Sequence, residues 1–317
     1  MDTEMWTAGG EGWRMWAREP APPLRYAVAA PYQGYREQRG APLRRAELPW
    51  CGVTLILSFG DRIAVTPRVG SGRPAPPVPY ESFVAGLFDR PVTTEHAGTQ
   101  HGLEVQLSPA GAYGLFGIPP GAYANQVVRF EELAAAAPRG SGVTRTLAGL
   151  AERLAEAPSW AARFDLVDRT LGRLTVRGPA MAPEVARAAE LLALTDGRTA
   201  VSELARATGW SRRHLSSRFT EQIGMGPKVY ARVCRFRNAL RMLEATAARP
   251  PGSTRSGGPA DSLARIAEVC GYYDQAHLNR DFRELAGRAP TAHLSALADQ
   301  GEPGAFPFVQ DADRSGV

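Results

Sequence analysis

The C-terminal third of this 317-residue chain repeats itself. Both copies carry the same landmarks in the same order: an apolar residue followed by alanine, a glycine, a leucine, a phenylalanine, a second glycine and a proline. In the first copy these are Leu204, Ala205, Gly209, Leu215, Phe219, Gly224 and Pro227; in the second they are Ile266, Ala267, Gly271, Leu278, Phe282, Gly287 and Pro290. The offset is 62 residues up to the first glycine and 63 beyond it. This part of the chain must therefore fold as two similar supersecondary units.

Each unit has the pattern of a helix-turn-helix, in which one helix ends near a glycine and a second carries apolar residues at i and i+4. Ser211 is placed to cap the second helix of the first unit. The segment between the units, Gly226 to Ala245, predicts one long helix. About 20 residues at a rise of 1.5 Å span roughly 30 Å, close to the ~34 Å between successive major-groove segments on one side of a DNA duplex.

The second helix of each unit leaves a polar face outward when its leucine and phenylalanine face inward. In the first unit this face holds Arg212, Arg213, Ser216, Ser217 and Arg218, and in the second it holds Asp274, Gln275, Asn279, Arg280 and Arg283. Arginine can pair with guanine, and asparagine or glutamine with adenine, through the major groove. The two faces therefore predict a protein that binds double-stranded DNA.

The charge distribution supports this prediction better than the net charge of +5 does. Lys228 is the only lysine, so 36 of the 37 basic residues are arginines, and such a compositional bias makes any single arginine weak evidence. Residues 181–298 hold 17 basic against 11 acidic residues, whereas residues 1–180 hold 19 against 17 and residues 299–317 hold 1 against 4. Positive charge is thus concentrated in the repeat.

The N-terminal half has a different pattern, with short apolar segments separated by glycine and proline. These segments predict strands at Val53–Phe59, Ser82–Phe88, Val92–Glu95 and Leu103–Leu107. After Pro109 the apolar spacing becomes helical, and it predicts two connecting helices at Val143–Ala157 and Trp160–Leu174. The predicted fold class is α+β: a β-rich barrel or sandwich with helices, then an all-α domain of two helix-turn-helix units joined by a long helix.

Composition and periodicity divide the chain into five parts. Residues 1–20 are interpreted as a short amphipathic segment or a disordered leader. The other four are a β-rich sensor or dimerisation domain at 21–140, the connecting helices at 141–178, the double helix-turn-helix domain at 181–297 and a flexible tail at 298–317.

Two segments of the repeat resemble a known family. PKVYARVCRFRNALRML, which begins at Pro227, and IAEVCGYYDQAHLNRDFRELAGRAP, from Ile266 to Pro290, closely resemble the DNA-binding domain of AraC-type transcriptional regulators. The resemblance covers about residues 183–297 and implies that two consecutive major-groove segments are bound. The base-reading positions that it implies are Arg213, Ser216 and Ser217 in the first unit and Gln275, Ala276, Asn279 and Arg280 in the second.

The chain departs from the family pattern in two places. Arg249–Ala260 is longer than the usual connection, and His293-Leu294 replace an aromatic-arginine pair. In the N-terminal half, Phe83–Val128 is similar to the sensor-like N-terminal domain of one branch of these regulators. The resemblance therefore implies a transcription regulator, and it leaves a small-molecule effector at the N-terminal domain as an open partner. A homodimer and a contact with RNA polymerase stay open as further partners, as do the effector and the sign of regulation.

Two other hypotheses compete for the N-terminal half. One is a metal-dependent enzyme built on Glu95, His96 and His101, but on one strand the two histidines would point to opposite faces, and the spacing fits no ligand pattern. The other is a dimerisation module without a ligand. Because motifs for nucleotide binding and for serine hydrolysis are also missing, we expect no enzyme, no metal and no cofactor.

Three cysteines, Cys51, Cys234 and Cys270, are an odd number at distant positions, so reduced structural thiols are expected. Cys51 could be a nucleophile or redox sensor, but no base partners it in the sequence, and a buried thiol is favoured. No run of about 18 apolar residues is present, and Asp2 and Glu4 stand where a secretory signal would be positive. We therefore predict a cytoplasmic protein without a membrane partner.

Overall fold

The computed structural model has a β-rich N-terminal unit over residues 5–175 and a helical C-terminal unit over residues 178–299, which confirms the predicted fold class. The residues that it describes are 5–10, 12–66, 68–69, 73–137, 142–175, 178–247 and 259–299. Almost all of the predicted tail and of the long connection Arg249–Ala260 lies outside them.

Short strands form the N-terminal unit, as its glycine and proline punctuation predicts. They are β1 (Met5–Gly10), β2 (Trp13–Arg18), β3 (Tyr32–Gln38), β4 (Leu43–Glu47), β5 (Val53–Ser58), β6 (Ile63–Thr66), β7 (Arg68–Val69), β8 (Arg73–Pro74), β9 (Val78–Tyr80), β10 (Phe83–Ala85), β11 (Val92–His96), β12 (Thr99–Leu107) and β13 (Val127–Arg129). The four predicted segments appear as β5, β10, β11 and β12, although only three residues of Ser82–Phe88 are extended.

All strand pairs are antiparallel, and most belong to two sheets. The larger sheet has the order β1-β2-β3-β12-β5-β10-β13, and the smaller has the order β4-β11-β6-β9; β7 and β8 pair separately. Within the described residues neither sheet closes on itself, so of the two predicted architectures the sandwich describes the unit better than a closed barrel.

Strand β5 shows why the larger sheet is covered on both faces. Side chains alternate along a strand: Val53, Leu55 and Leu57 face the core shared with the helices, and Ile56 faces the apolar cluster shared with the smaller sheet. Because β5 carries buried apolar side chains on both faces, it lies inside the sandwich.

The interpretation of residues 1–20 as a leader is wrong for residues 5–18, since β1 and β2 form a hairpin at the edge of the larger sheet. Met15 and Ala17 are fully buried, and the Trp16 ring stacks on Trp160 with centroids 4.7 Å apart. Arg18 forms ion pairs with Asp165 at 2.6 Å and with Asp168 at 2.8 Å. Burial and ion pairing against a distant helix fix a segment whose own sequence gives only a weak strand signal.

Helices follow in the order that the spacing predicts. They are α1 (Pro109–Phe116), α2 (Phe130–Ala136), α3 (Val143–Glu156), α4 (Trp160–Thr175), α5 (Pro183–Leu194), α6 (Val201–Thr208), α7 (Arg212–Ile223), α8 (Pro227–Ala247), α9 (Pro259–Val269), α10 (Gln275–Leu285) and α11 (Pro290–Asp299), with 3-10 turns at Pro22–Leu24 and Pro120–Tyr123. Helices α3, α4 and α8 confirm the three helices predicted from spacing. No helix of the described part of the chain is both long and apolar enough to cross a bilayer.

One apolar core runs through both units. It includes Leu55 of the sheet, Phe164 of α4, Leu192 of α5 and Phe219 of α7, all fully buried. The Tyr230 hydroxyl of α8 also donates a hydrogen bond to the Cys51 carbonyl at 2.8 Å. The N-terminal unit is therefore packed against the helices that the repeat forms.

The expectation of three reduced thiols is wrong for two of them, because Cys51 and Cys234 form a disulfide with a Cα–Cα distance of 5.8 Å. They are separated by 183 residues, and α8 brings Cys234 to the start of β5. Distance along the chain does not reveal such a pairing. Cys270 is free and buried, as expected.

Candidate nucleic-acid interface

The first repeat unit begins its outward helix at a capped turn. Gly209 ends α6 in the left-handed region at φ 71°, which only glycine adopts without strain. The Ser211 hydroxyl then accepts a hydrogen bond from the His214 amide at 3.2 Å, which confirms the predicted cap. Helix α7 therefore starts at Arg212, directly after its capping residue.

Helix α7 divides into a buried and an exposed face as predicted. Leu215, Phe219 and Ile223 are fully buried. Of the five predicted DNA-contacting residues, Arg212, Arg213 and Ser217 are exposed, and Ser216 and Arg218 are half-buried. Arg218 is also engaged locally, since its guanidinium forms an ion pair with Glu221 at 2.6 Å.

The second repeat unit has the same construction. Gly271 is left-handed at φ 73°, and the Asp274 carboxylate accepts a hydrogen bond from the His277 amide at 2.7 Å. Asp274 thus caps α10, a local role that its predicted place on the outward face did not include. Leu278 and Phe282 are fully buried, matching Leu215 and Phe219 of the first unit.

The outward face of α10 carries the second predicted set. Ala276, Arg280 and Arg283 are exposed, whereas Gln275 and Asn279 are half-buried. Sequence reasoning missed Tyr273, which is 94 % exposed immediately before the cap. Two adjacent tyrosines, Tyr272 and Tyr273, were visible in the sequence, but only the structure separates the buried Tyr272 from its exposed neighbour.

Helix α8 holds both units. The Tyr230 ring meets Phe219 of α7 edge-on with centroids 5.4 Å apart, and the Phe236 ring meets Phe282 of α10 in the same way at 5.0 Å. Its 21 residues span about 31 Å at 1.5 Å per residue. One rigid helix therefore fixes the position of α7 relative to α10.

Three arginines of α8, Arg232, Arg235 and Arg241, contact protein groups. Arg232 forms ion pairs with Asp281 at 2.8 Å and with Glu284 of α10. The Arg235 guanidinium lies over the Tyr272 ring, 5.8 Å from its centroid, and Arg241 donates to Asn238 at 2.9 Å. Arg232 thus links α8 to α10 through two acidic side chains.

Arg237 points the other way, toward a cavity of about 140 Å³ between the two sheets and α8. Most of its lining is apolar, with Ile56, Val65 and Phe83 among the contributors. Sequence reasoning missed this cavity. The sequence pattern that could have revealed it is the alternation of polar and apolar residues along β12. One face of this strand is polar and the other is apolar: Gln100, Glu104 and Gln106 lie on the first, and Leu103, Val105 and Leu107 on the second.

Two polar clusters border this cavity. Burial works to raise the pKa of Glu37, but hydrogen bonds from His96 and Arg45 outweigh it and lower that pKa to about 2. At Glu104 burial prevails over a hydrogen bond from Gln106 and raises the pKa to about 7. Burial also lowers the pKa of Arg237 to about 10.

Gln100 supplies a further polar atom to the cavity lining. Its Nε2 donates to the Asp61 carbonyl at 3.0 Å, while its buried Oε1 meets no hydrogen-bond donor in the described part of the protein. A buried acceptor of this kind favours a ligand that brings an N–H or O–H group.

The histidines of the enzyme hypothesis do not share a site. His96 lies in the smaller sheet with its Nε2 3.2 Å from Glu37, whereas His101 lies in the larger sheet with its ring against Phe59 and Trp160. Burial and two neighbouring arginines lower the pKa of His101 to about 4. Over the described ranges, no group of three or more His, Cys, Asp or Glu side chains is arranged to hold a metal ion.

Comparisons with known proteins give structural neighbours alone, since no family model and no curated protein matches the chain. The DNA-binding domain of AdpA, the global transcriptional factor, in complex with a target DNA, is 25 % identical over 38 % of this chain and 96 % of that one, with a TM-score of 0.30. ToxT from Vibrio cholerae O395 is 10 % identical over 84 % and 97 %, with a TM-score of 0.43. The AraC-like transcriptional activator CuxR is 13 % identical over 72 % and 84 %, with a TM-score of 0.29.

Proposed function

We propose that this chain is a transcription regulator of the AraC type that binds specific DNA sequences through two consecutive major-groove segments. The observation that carries the proposal is the pair of capped helices, α7 and α10, held on α8 with their polar faces exposed. Helix-turn-helix proteins insert the start of the second helix into the major groove, which is the end that both repeats present to solvent.

The proposed mechanism has two stages. Exposed arginines and the helix amino termini first capture the phosphate backbone, which positions the protein without reading sequence. Side chains on α7 and α10 then read base edges. The residues assigned to the interface are Arg212, Arg213, Ser216, Ser217 and Arg218 of α7, and Gln275, Ala276, Asn279, Arg280 and Arg283 of α10.

Ala276 can offer a base only a methyl contact, so the second helix reads mainly through Gln275, Asn279 and Arg280. Arg218 is already paired with Glu221, and we assign it to phosphate. The proposal gives the chain no catalytic activity. A cytoplasmic location, self-association and contact with RNA polymerase belong to the same proposal.

Selection of bound sequences from a random DNA pool tests this proposal. The full chain is expected to recover two short motifs whose centres lie about one helical turn, roughly 34 Å, apart. Recovery of one motif would reduce the interface to a single repeat. Recovery of no motif, with binding that depends only on salt, would contradict sequence-specific recognition.

We also propose that the N-terminal unit binds a small-molecule effector in the cavity beside Arg237. The cavity volume of about 140 Å³ is close to that of an engineered protein cavity of 150 Å³ that binds benzene. Its apolar lining and the Gln100 acceptor favour a ring-sized apolar compound with one hydrogen-bond donor. Because Arg237 belongs to α8, occupation of the cavity would reach the helix that carries both repeats.

A further inference from the structure

The disulfide joins the two units at one point. Cys51 lies between β4 and β5 in the N-terminal unit, and Cys234 lies in the first half of α8. Both repeat units pack on this helix, at Tyr230 and Phe236, on either side of Cys234. A covalent bond here fastens the N-terminal unit to the element that sets the geometry of the interface.

Neighbouring contacts hold the two sulfur-bearing residues in place. Tyr230, one turn before Cys234, donates its hydroxyl hydrogen to the Cys51 carbonyl at 2.8 Å. Gly52, which follows Cys51, is so crowded that a Cβ there would lie 2.3 Å from the Trp50 ring and 2.4 Å from the Leu107 carbonyl oxygen. The Cα–Cα distance of 5.8 Å lies at the usual value for a disulfide. The bond can therefore form and break without moving the backbone far.

Cys270 lies in a different environment. Its side chain is fully buried, its Sγ lies 3.6 Å from the Met242 Sδ, and burial raises its pKa to about 11. Cys51 is half-buried, so it is the more accessible sulfur of the pair. Thiolate content and accessibility govern oxidation, and both disfavour Cys270.

We propose that Cys51 and Cys234 form a reversible thiol oxidation site that controls the affinity of this chain for DNA. This inference rests on the proposed function. Hydrogen peroxide is a sufficient oxidant: the Cys51 thiolate attacks one peroxide oxygen to give a sulfenic acid and hydroxide, and the Cys234 thiolate then displaces hydroxide from that sulfur. In sum, two thiols and one peroxide give one disulfide and two water molecules, and two electrons pass from sulfur to oxygen. A dithiol returns both electrons and both protons by exchange.

The disulfide affects the interface because the N-terminal unit also touches the first repeat. The turn at Pro120–Tyr123 packs on the end of α7, where a Cβ on Gly121 would lie 2.3 Å from the Glu221 carbonyl oxygen. With the disulfide closed, α7 and α8 are both held against the N-terminal unit, in an arrangement that leaves the polar faces of α7 and α10 exposed. Reduction removes this covalent restraint while the shared apolar core keeps the units in contact. It lowers the fraction of molecules in that arrangement, and apparent affinity falls in proportion.

In the cytoplasm, the formation of such a disulfide would indicate oxidising conditions. Glutathione and thioredoxin keep most thiols reduced there, and the disulfides that do form are usually transient. The reduced form would therefore be the resting state, and oxidative stress would raise DNA affinity.

The test uses the full chain with a DNA duplex taken from the selected pool. Wild type, Cys234→Ser and the matched control Cys270→Ser are each treated with hydrogen peroxide or dithiothreitol, and disulfide content is measured by peptide mapping without reduction. Oxidised wild type and Cys270→Ser should bind the duplex about 3- to 10-fold more tightly than their reduced forms, while Cys234→Ser should respond to neither reagent. Cys51→Ser is the second variant, in case serine is not tolerated at the buried Cys234.

Three results would overturn the inference. One is a disulfide that forms while the affinity of wild type stays the same or falls. Another is an equal response in the chain lacking Cys51 or Cys234. In both cases specific DNA binding by the reduced protein would leave the proposed function intact. The third is absence of specific binding in every form, which would overturn the proposed function together with this inference.

Discussion

Arg232 of α8 and Asp281 of α10 form an ion pair at 2.8 Å that ties α10 to the long helix. Asp281 is only 3 % exposed, so its carboxylate has little access to water. Removing Arg232 would leave a buried charge without this partner. The pair therefore positions α10, the helix that carries the second set of residues assigned to DNA.

We expect Arg232→Ala to lower the free energy of unfolding by about 3 kcal/mol, because breaking a buried pair leaves one charge uncompensated. The matched control is Arg187→Ala, which breaks the exposed pair with Glu190 on α5 and should cost less than about 0.5 kcal/mol. Urea unfolding of both variants measures the difference. Equal destabilisation by the two substitutions would contradict a positioning role for Arg232.

Tyr273→Ala should weaken DNA binding without altering stability. The side chain is 94 % exposed beside the start of α10, so its removal changes stability by no more than about 0.5 kcal/mol. Tyr26 is the control, since it is 62 % exposed in the N-terminal unit and far along the chain from the repeat. Fluorescence anisotropy with a labelled duplex should show a loss for Tyr273→Ala alone. If Tyr26→Ala causes the same loss, the effect is not specific to the interface.

Phenol should stabilise the full chain more than benzene does. Both rings match the size of the cavity, but only phenol has a hydroxyl group that can donate a hydrogen bond to the buried Gln100 Oε1. The expected preference is about 1 kcal/mol in binding free energy, the usual net value of one hydrogen bond. Thermal-shift titrations measure it.

Gln100→Met supplies the control for that measurement, because it removes the acceptor and keeps a side chain of similar length. The preference for phenol should disappear in this variant while benzene still binds. An unchanged preference would place the phenol elsewhere, and no stabilisation by either compound would argue against an effector in this cavity.

Glu104 should make the fold less stable as pH rises from about 5 to 8. Its pKa in the folded protein is about 7, against 4.5 for the free side chain, so the folded state holds a proton that the unfolded state has already lost. The stability that depends on this proton is complete at low pH and disappears as pH passes 7. Glu104→Gln stays neutral, so its stability relative to wild type should increase by about 2 kcal/mol over that range.

Comparison with Glu104→Gln isolates this one group, because His101 titrates in the opposite sense. Its pKa falls to about 4 on folding, so its contribution is present above pH 6.5 and is lost as pH falls through 4. Both chains keep His101, and its effect cancels in the difference. A difference between the chains that does not change with pH would show that burial does not shift Glu104.

The sequence predicts the C-terminal unit in detail because its signals are local. Glycine at the turn, serine at the cap and apolar residues at i and i+4 define α6 to α8 within a few residues. The second copy repeats the glycine and the apolar spacing, with Asp274 at the cap. Each of these features depends on neighbours within one or two helical turns.

The sequence does not predict the features that depend on contacts between residues far apart in the chain. The β1–β2 hairpin depends on Trp160 and on Asp165 and Asp168, about 150 residues away. The cavity exists only where the polar face of β12 meets the smaller sheet, and Cys234 meets Cys51 only because α8 packs on the start of β5. Burial and long-range contacts determine whether such features form, and the spacing of apolar residues along the sequence does not reveal those contacts.

Base-by-base measurement of DNA affinity tests the central claim most directly. On the selected duplex and on versions with each base pair replaced in turn, Arg213→Ala should lose discrimination at one position of one motif, and Arg280→Ala at one position of the other, by about 1–3 kcal/mol each. The control Arg62→Ala, on an exposed arginine of the N-terminal unit, should match wild type. A uniform loss on every duplex would reduce both arginines to phosphate contacts, and no loss in either variant would contradict the assignment of α7 and α10 as the recognition helices.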